Sequence, residues 1–293
     1  MSLSRRRFLA ISAAAVAAPV PATAASWSGI AFGSDVRLTI RAPGPEAARA
    51  IGAARRIIAE VEDLFSLYRD GSALIRLNRT GRLDRPDPRF ITLMHASDRA
   101  HRLTSGRFDP TVQPYWRAHA SGEDPARARA AFGWHRIAFD DRAVRLAPGQ
   151  ALTFNGIAQG YATDLVSEAL SGLGLTDVLV NMGEYRALGG PWRLGIADPQ
   201  VGLMGFQTLT HGAVATSSPS ALTLGAHAHI LHPDFTPRWS TVSVTAANAA
   251  LADSLSTALC LAPVELVEEI AAMPQVASVR LVDMHGDLAT IQA

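Results

Sequence analysis

A chain of 293 residues, 48% hydrophobic and 18% charged, can bury a large core and is too apolar to be disordered. Its formal charge of +1 falls to −2 if the first 25 residues leave with Arg5, Arg6 and Arg7 and no acid, which excludes a surface built to attract nucleic acid or anionic lipid. All 27 Lys+Arg residues are arginine and the one cysteine is Cys260, so Schiff-base lysine chemistry, an intramolecular disulfide and a thiolate metal cluster are excluded.

Residues 1–25 read as a twin-arginine secretory signal: Ser4-Arg5-Arg6-Arg7-Phe8-Leu9, an apolar run over 10–18, and Ala22-Thr23-Ala24 as a small-residue cleavage site. The competing reading, a membrane-spanning helix, needs a longer run than one interrupted by Pro19 and Pro21. This signal predicts a periplasmic protein, exported already folded, that is not itself an integral membrane protein. Residues 26–293 remain as one domain.

Alternation over 36–40 predicts an early strand, and Pro43-Gly44-Pro45 a turn. Ile51, Ala54, Ile58, Val61 and Phe65 recur at helical spacing and predict a long amphipathic helix over 46–67. Tyr68 and Asn78 then bracket a short helical turn over 72–77; on its own, Tyr68 reads equally as a solvated cap. A helix is expected over 88–103, a specific turn at Asp109-Pro110-Thr111, an exposed polar loop over 118–126, and a meander of strands at 137–140, 143–146 and 151–154.

Next comes Thr153-Phe154-Asn155-Gly156-Ile157-Ala158-Gln159-Gly160-Tyr161-Ala162-Thr163-Asp164, which reads as strand, tight turn and helix. Its two glycines and the first-turn amides of a helix from 160 to at most 175 would form a phosphate cradle, or the glycines would only let two elements pack closely. Residues 178–183 read as a strand buried in mid-sheet, followed by short strands at 192–197, 206–209, 213–215, 228–231 and 241–244, helices over 249–261 and 263–272, and a closing hairpin. No repeat or linker interrupts the chain. The prediction is one compact α+β unit, with mixed or antiparallel sheets and flanking helices.

On the helix over 249–261, Asp253 and Thr257 lie four apart and share a face. A carboxylate above a hydroxyl suits a hard divalent cation such as Mg2+, which completes its shell with carbonyl and phosphate oxygens. An ordinary helix-start aspartate with a buried threonine has the same spacing.

Glu62-x-x-Phe65-Ser66-x-Tyr68, the run Ser72 to Asn78, Gly106-x-Phe108-Asp109-Pro110-Thr111-Val112, Gly156-Ile157-Ala158-Gln159-Gly160-Tyr161-Ala162-x-x-Asp164, Asn181-x-Gly183, Ala215-Thr216-Ser217, His229-Ile230-x-x-Pro233 and Ala252-Asp253-x-x-x-Thr257-Ala258, taken in order, resemble the ApbE family of FAD:protein FMN transferases. Each motif is weak alone, and the ordered set spans nearly the whole mature chain. The resemblance implies an enzyme that binds FAD as donor, cleaves its pyrophosphate with Mg2+ and attaches FMN by a phosphoester to a serine or threonine of an acceptor protein. It implies Asp253, Thr257 and the carbonyl of Gly156 as metal ligands and His229 as the base. Tyr68, Asn78, Asp109, Gln159, Gly160, Gly183, Thr216 and Ser217 match positions expected to line the bound nucleotide.

The chain departs from the family's pattern at four places. Gln159 stands where a lysine is common, Glu184 follows a single glycine where Gly-Gly-Asp is usual, His232 replaces an aspartate, and Thr153 replaces an acid. The run 182–189 looks like the periplasmic NosX branch, whose members flavinylate a membrane protein of nitrous-oxide respiration. The same resemblance therefore implies a membrane-bound acceptor with a periplasmic domain. Two rivals remain: a periplasmic FAD-binding or flavin-carrier protein without transferase activity, and a solute-binding protein unrelated to flavin.

Overall fold

The computed structural model describes residues 24–292, so the expected twin-arginine signal lies almost wholly outside the described residues. In chain order the elements are β1 (Ala24–Ala31), β2 (Ser34–Arg41), α1 (Gly44–Phe65), α2 (Ala73–Thr80), β3 (Arg82–Asp84), α3 (Pro88–Leu103), α4 (Gln113–Ser121), α5 (Ala126–Ala131), β4 (Ala138–Phe139), β5 (Ala143–Arg145) and α6 (Ala158–Gly172). Then follow β6 (Val178–Asn181), β7 (Tyr185–Asp198), β8 (Gly202–Ser217), β9 (Thr223–Leu224), β10 (His227–Ala228), β11 (Thr241–Ala246), α7 (Ala249–Leu259), α8 (Val264–Ala271), β12 (Val276–Val282) and β13 (Leu288–Ile291). β1 begins two residues before the expected start of the mature domain, and Ala24 and Ala25 pair with Arg41 and Ile40 of β2.

Eight strands form one sheet in the order β1-β2-β6-β7-β8-β11-β12-β13, antiparallel at every pairing. The apolar run of β6 takes the central place expected of it, between β2 and β7. Val178 and Val180 point from β6 into the main core with α1, α2, α3 and α6, while Leu179 points to the other face, where Trp192, Leu194 and Leu209 form a smaller cluster. A further core joins α7 and α8 to β8, β11 and β12. Among the described residues no helix is long and apolar enough to cross a membrane.

Three expectations need correction. Residues 151–154 are buried but are not a strand, because the Asn78 side chain takes the place of a neighbouring strand: its amide donates to the Leu152 carbonyl at 2.8 Å and its oxygen accepts the Leu152 N–H at 2.7 Å. The expected loop over 118–126 shrinks to 122–125: α4 carries Pro114 in its first turn and runs to Ser121, Gly122 with a φ of 74° closes it, and α5 begins at Ala126. The expected strands at 206–209 and 213–215 are parts of one long β8, and of 228–231 only Ala228 is in a strand.

Where α6 crosses α7, Gly160 meets the other backbone directly. A Cβ there would stand 2.3 Å from the Ala249 carbonyl oxygen and 2.8 Å from the Asp253 Cβ, which makes this glycine a packing requirement. Gly172, at the far end of the same helix, has open space around it. Gly160→Ala should therefore cost about 2–3 kcal/mol in urea unfolding by overpacking. Gly172→Ala should leave stability unchanged or raise it by up to about 1 kcal/mol through helix propensity.

Candidate active site

Residues from four distant segments converge beside the α6–α7 crossing. Asp253 is 3% exposed, and its Oδ2 accepts the Gly160 N–H at 3.0 Å. One turn further along α7, Thr257 lies against the backbone of Gly156, where a Cβ would be 2.9 Å from the Thr257 hydroxyl oxygen. Ser217, at the end of β8, places its hydroxyl 2.8 Å from that of Ser256 and 3.4 Å from that of Thr257. The expected metal pair thus shares a face of α7 with Gly156 beside it, and Ser217 joins them.

Asp164 completes the crossing in the opposite sense. Its carboxylate, 6% exposed, accepts the N–H groups of Ala249 and Ala250 at 2.8 and 2.9 Å, while Asn248 caps the Leu251 N–H at 2.9 Å. Arg186, from β7, forms an ion pair with it. Asp164 closes the motif that runs from Gly156, where the resemblance assigns it no role. Its signal was an acid one turn past Gly160 on an otherwise apolar helix face.

Glu184, read only as a departure, is a buried carboxylate of the same neighbourhood: it is 7% exposed, accepts the Thr216 N–H, and leaves Oε2 without a hydrogen-bond partner. Asp164, Glu184 and Asp253 are therefore three buried acids, of which only Asp164 has an arginine, the half-buried Arg186, as its partner. Burial pushes the Asp253 carboxyl up to about 7, opposed by the Gly160 N–H and reinforced by the Asp164 charge. Burial also raises Asp164, with Arg186 pulling it back, and raises Glu184 well above the ordinary range, with the Asp253 charge adding to it. Such an excess of buried negative charge fits a cation. Among the described residues no three His, Cys, Asp or Glu side chains are arranged to hold a metal, so a cation here needs hydroxyl, carbonyl and substrate oxygens as well.

His229 does not lie on a strand. It follows β10 in a bend, with its N–H donated to the Leu222 carbonyl at 3.0 Å and its own carbonyl held by the Trp116 indole N–H at 3.1 Å. Its Nδ1 is 2.9 Å from the Pro219 carbonyl and 3.3 Å from that of Leu222, contacts that only an Nδ1–H donor can satisfy. The neutral ring therefore carries its lone pair on Nε2. Burial lowers its pKa below the ordinary imidazole value, against the pull of the two carbonyls.

The other expected site residues divide by what their polar atoms already hold. Tyr68 is half-exposed after α1 and hydrogen-bonds Asn155, in the loop leading to Gly156. Asn78 spends both ends of its amide on Leu152. Asp109 spends one oxygen on the turn it opens, accepting from Thr111, and the other on the distant Trp134 N–H. The Thr216 hydroxyl donates to Ser243 on the neighbouring strand, so its N–H rather than its side chain faces Glu184. Gly183 has a φ of 101° and sits against Gln159, whose amide nitrogen donates to the Met182 carbonyl at 2.9 Å. The expected cradle is smaller than a free helix terminus, because the amides of Ile157 and Ala158 are spent on the Phe154 carbonyl and that of Gly160 on Asp253.

His232 ties two loops together: Nε2 lies 3.2 Å from the Gly106 carbonyl and Nδ1 accepts the Asp234 N–H at 3.0 Å. A cavity of about 440 Å3 opens beside it, toward Trp134 and Phe235, and of the expected site residues only Asp109 lines it.

The ApbE family model matches residues 32–279. An FAD:protein FMN transferase of Vibrio cholerae is 26% identical over 185 residues, which is 55% of this chain and 55% of the relative, and one of Rhodobacter capsulatus is 31% identical over 48% of this chain and 30% of its own length. The chain thus spans about half the length, or less, of these curated relatives. The apo flavinyl transferase ApbE of Pseudomonas stutzeri superposes with a TM-score of 0.78 at 26% identity, over 91% of this chain and 93% of that one. The ApbE protein of Thermotoga maritima shares the fold at a TM-score of 0.82 and 23% identity, over 92% and 97%.

The raised Asp253 pKa gives a signed prediction for the metal-free protein. Between the ordinary carboxyl value and about 7, the folded state holds a proton that the unfolded state has released, so the contribution of Asp253 to stability is fully present at low pH and is lost as pH rises through that window. In the presence of a chelator, Asp253→Asn should flatten the fall in unfolding free energy between pH 5 and 7 by about 1 kcal/mol per pH unit relative to wild type. Denaturant titrations at three pH values measure it.

Proposed function

The chain belongs to the ApbE family, and on that premise we propose that it is an FAD:protein FMN transferase. It would cleave the pyrophosphate of FAD, release AMP and join FMN by a phosphoester to a serine or threonine of an acceptor protein. The carrying observation is the meeting of Gly156, Asp253, Thr257 and Ser217 at one point, against buried acids whose charge exceeds that of the one arginine among them.

Gly156, Asp253 and Thr257 are the residues that would hold Mg2+, and the orphaned Glu184 oxygen nearby supports a cation there. A divalent ion so held supplies charge neutralisation on the phosphate oxygens. The chain's own part in the transfer falls to His229. Its Nδ1–H is anchored on Pro219 and its Nε2 is free to take the acceptor hydroxyl proton as that oxygen bonds to the flavin-side phosphorus and the bond to the AMP phosphate breaks. With its pKa lowered, the imidazole is neutral and competent at pH 7, and the rate should hold down to below the ordinary histidine value before it falls. Tyr68 and Ser217 are the expected nucleotide-lining residues best placed by their surroundings. Asn78 and Asp109 would act by holding the loops that line the site.

Export through the twin-arginine route would place the enzyme in the periplasm. Its acceptor would be a membrane protein with a periplasmic domain, as in the NosX-like branch that residues 182–189 resemble.

Asp253→Ala should lower Mg2+-dependent AMP release from FAD at least 100-fold with an unchanged far-ultraviolet circular dichroism spectrum. His229→Ala should bind FAD with near wild-type affinity and transfer FMN 10²- to 10⁴-fold more slowly. Wild-type protein that binds FAD and releases no AMP with Mg2+ present would be a flavin carrier instead.

A further inference from the structure

Glu184 has a place in the fold that the reading above does not use. It closes the tight turn between β6 and β7, in which Asn181 accepts the Gly183 N–H at 2.9 Å and the Met182 N–H donates to the Glu184 carbonyl at 3.1 Å. That turn is pinned to α6 by Gln159, whose amide donates to Met182, and the next residue, Gly160, donates to Asp253. From the other side, the Thr216 N–H reaches the Glu184 carboxylate, and the next residue, Ser217, sits 3.4 Å from the Thr257 hydroxyl. The carboxylate is thus bracketed by neighbours of both metal-site side chains.

What it lacks is a partner. Oε2 is buried without a hydrogen bond, and Arg186, the cation two residues on, is committed to Asp164. A carboxylate held 93% buried on one amide is costly unless a cation or a proton neutralises it. The Asp253 charge acts on it directly, which places the two acids within electrostatic reach of each other.

We propose that Glu184 is a direct ligand of the divalent cation that Gly156, Asp253 and Thr257 would hold, so that this chain offers the ion two carboxylates. The inference rests on the metal-dependent transferase reading. With two carboxylates, a carbonyl and a hydroxyl, the site holds its ion before any nucleotide arrives and depends less on substrate phosphates to complete the shell.

The test is Mn2+ binding to the full chain without FAD, followed by the electron paramagnetic resonance of free Mn2+ and by the metal-induced rise in melting temperature. Glu184→Gln keeps the shape and removes the charge. It should weaken Mn2+ binding at least tenfold and shrink the metal-induced melting shift, while the metal-free variant melts no lower than wild type. Glu184→Asp, which withdraws the carboxylate by one methylene, should bind more weakly than wild type, and it decides the matter if the glutamine variant does not fold. Wild-type Mn2+ affinity in Glu184→Gln, or in Glu184→Asp should that one alone fold, overturns the ligand assignment; if Asp253→Ala loses both Mn2+ and AMP release in the same series, the transferase reading stands. A wild-type chain that binds no Mn2+ and releases no AMP overturns both.

Discussion

At the crossing of α6 and α7 each helix satisfies the other's orphan amides with a carboxylate. Asp164, one turn past Gly160, takes the first two N–H groups of α7, and Asp253, one turn past Ala249, takes an N–H in the first turn of α6. The exchange works only at very short range, and the missing side chain of Gly160 permits that range. Everything proposed for the site follows from this contact. It sets Thr257 against Gly156, orders the start of α6 beneath the β6–β7 turn, and buries two acids where solvent cannot screen them.

Burial of like charges is expensive, and the structure offsets only part of it. Arg186 answers Asp164, and backbone amides answer one oxygen each of Asp253 and Glu184. Burial, with the uncancelled like charge adding to it, drives the Asp253 and Glu184 carboxyl groups upward in the metal-free chain, and a metal cation rather than a further arginine suits the centre. The same charge also bears on the missing lysine at position 159. A glutamine there donates to the Met182 carbonyl and holds the turn that carries Glu184, a structural task done by its amide without charge.

The elements with strong periodicity were legible before any fold was known. The long α1, α3, the buried β6 and the closing β12–β13 hairpin all stand near their expected places, because one apolar face or one unbroken apolar run admits few alternatives. An isolated apolar run such as 151–154 looks like a strand whether its partner is a backbone or, as here, the side-chain amide of Asn78. Polarity alone makes 118–121 look like the start of the loop, although Pro114 and Gly122 mark a helix start and stop around them.

By itself the sequence determined the α+β class, the absence of lysine and thiolate chemistry, the shared face of Asp253 and Thr257, and the ordered motifs that carry the family resemblance. Those are matters of composition and short spacing, which need no partner to be read. Only the tertiary structure decided that Gly160 serves a helix crossing, that Asn78 and Asp109 spend their polar atoms on loops, that His229 presents Nε2, and that Glu184 is buried beside the Asp253 site. Most of these depend on contacts between residues far apart in the chain, and even the His229 contacts, seven and ten positions back, follow no repeating spacing that would encode which amide or carbonyl a side chain will meet.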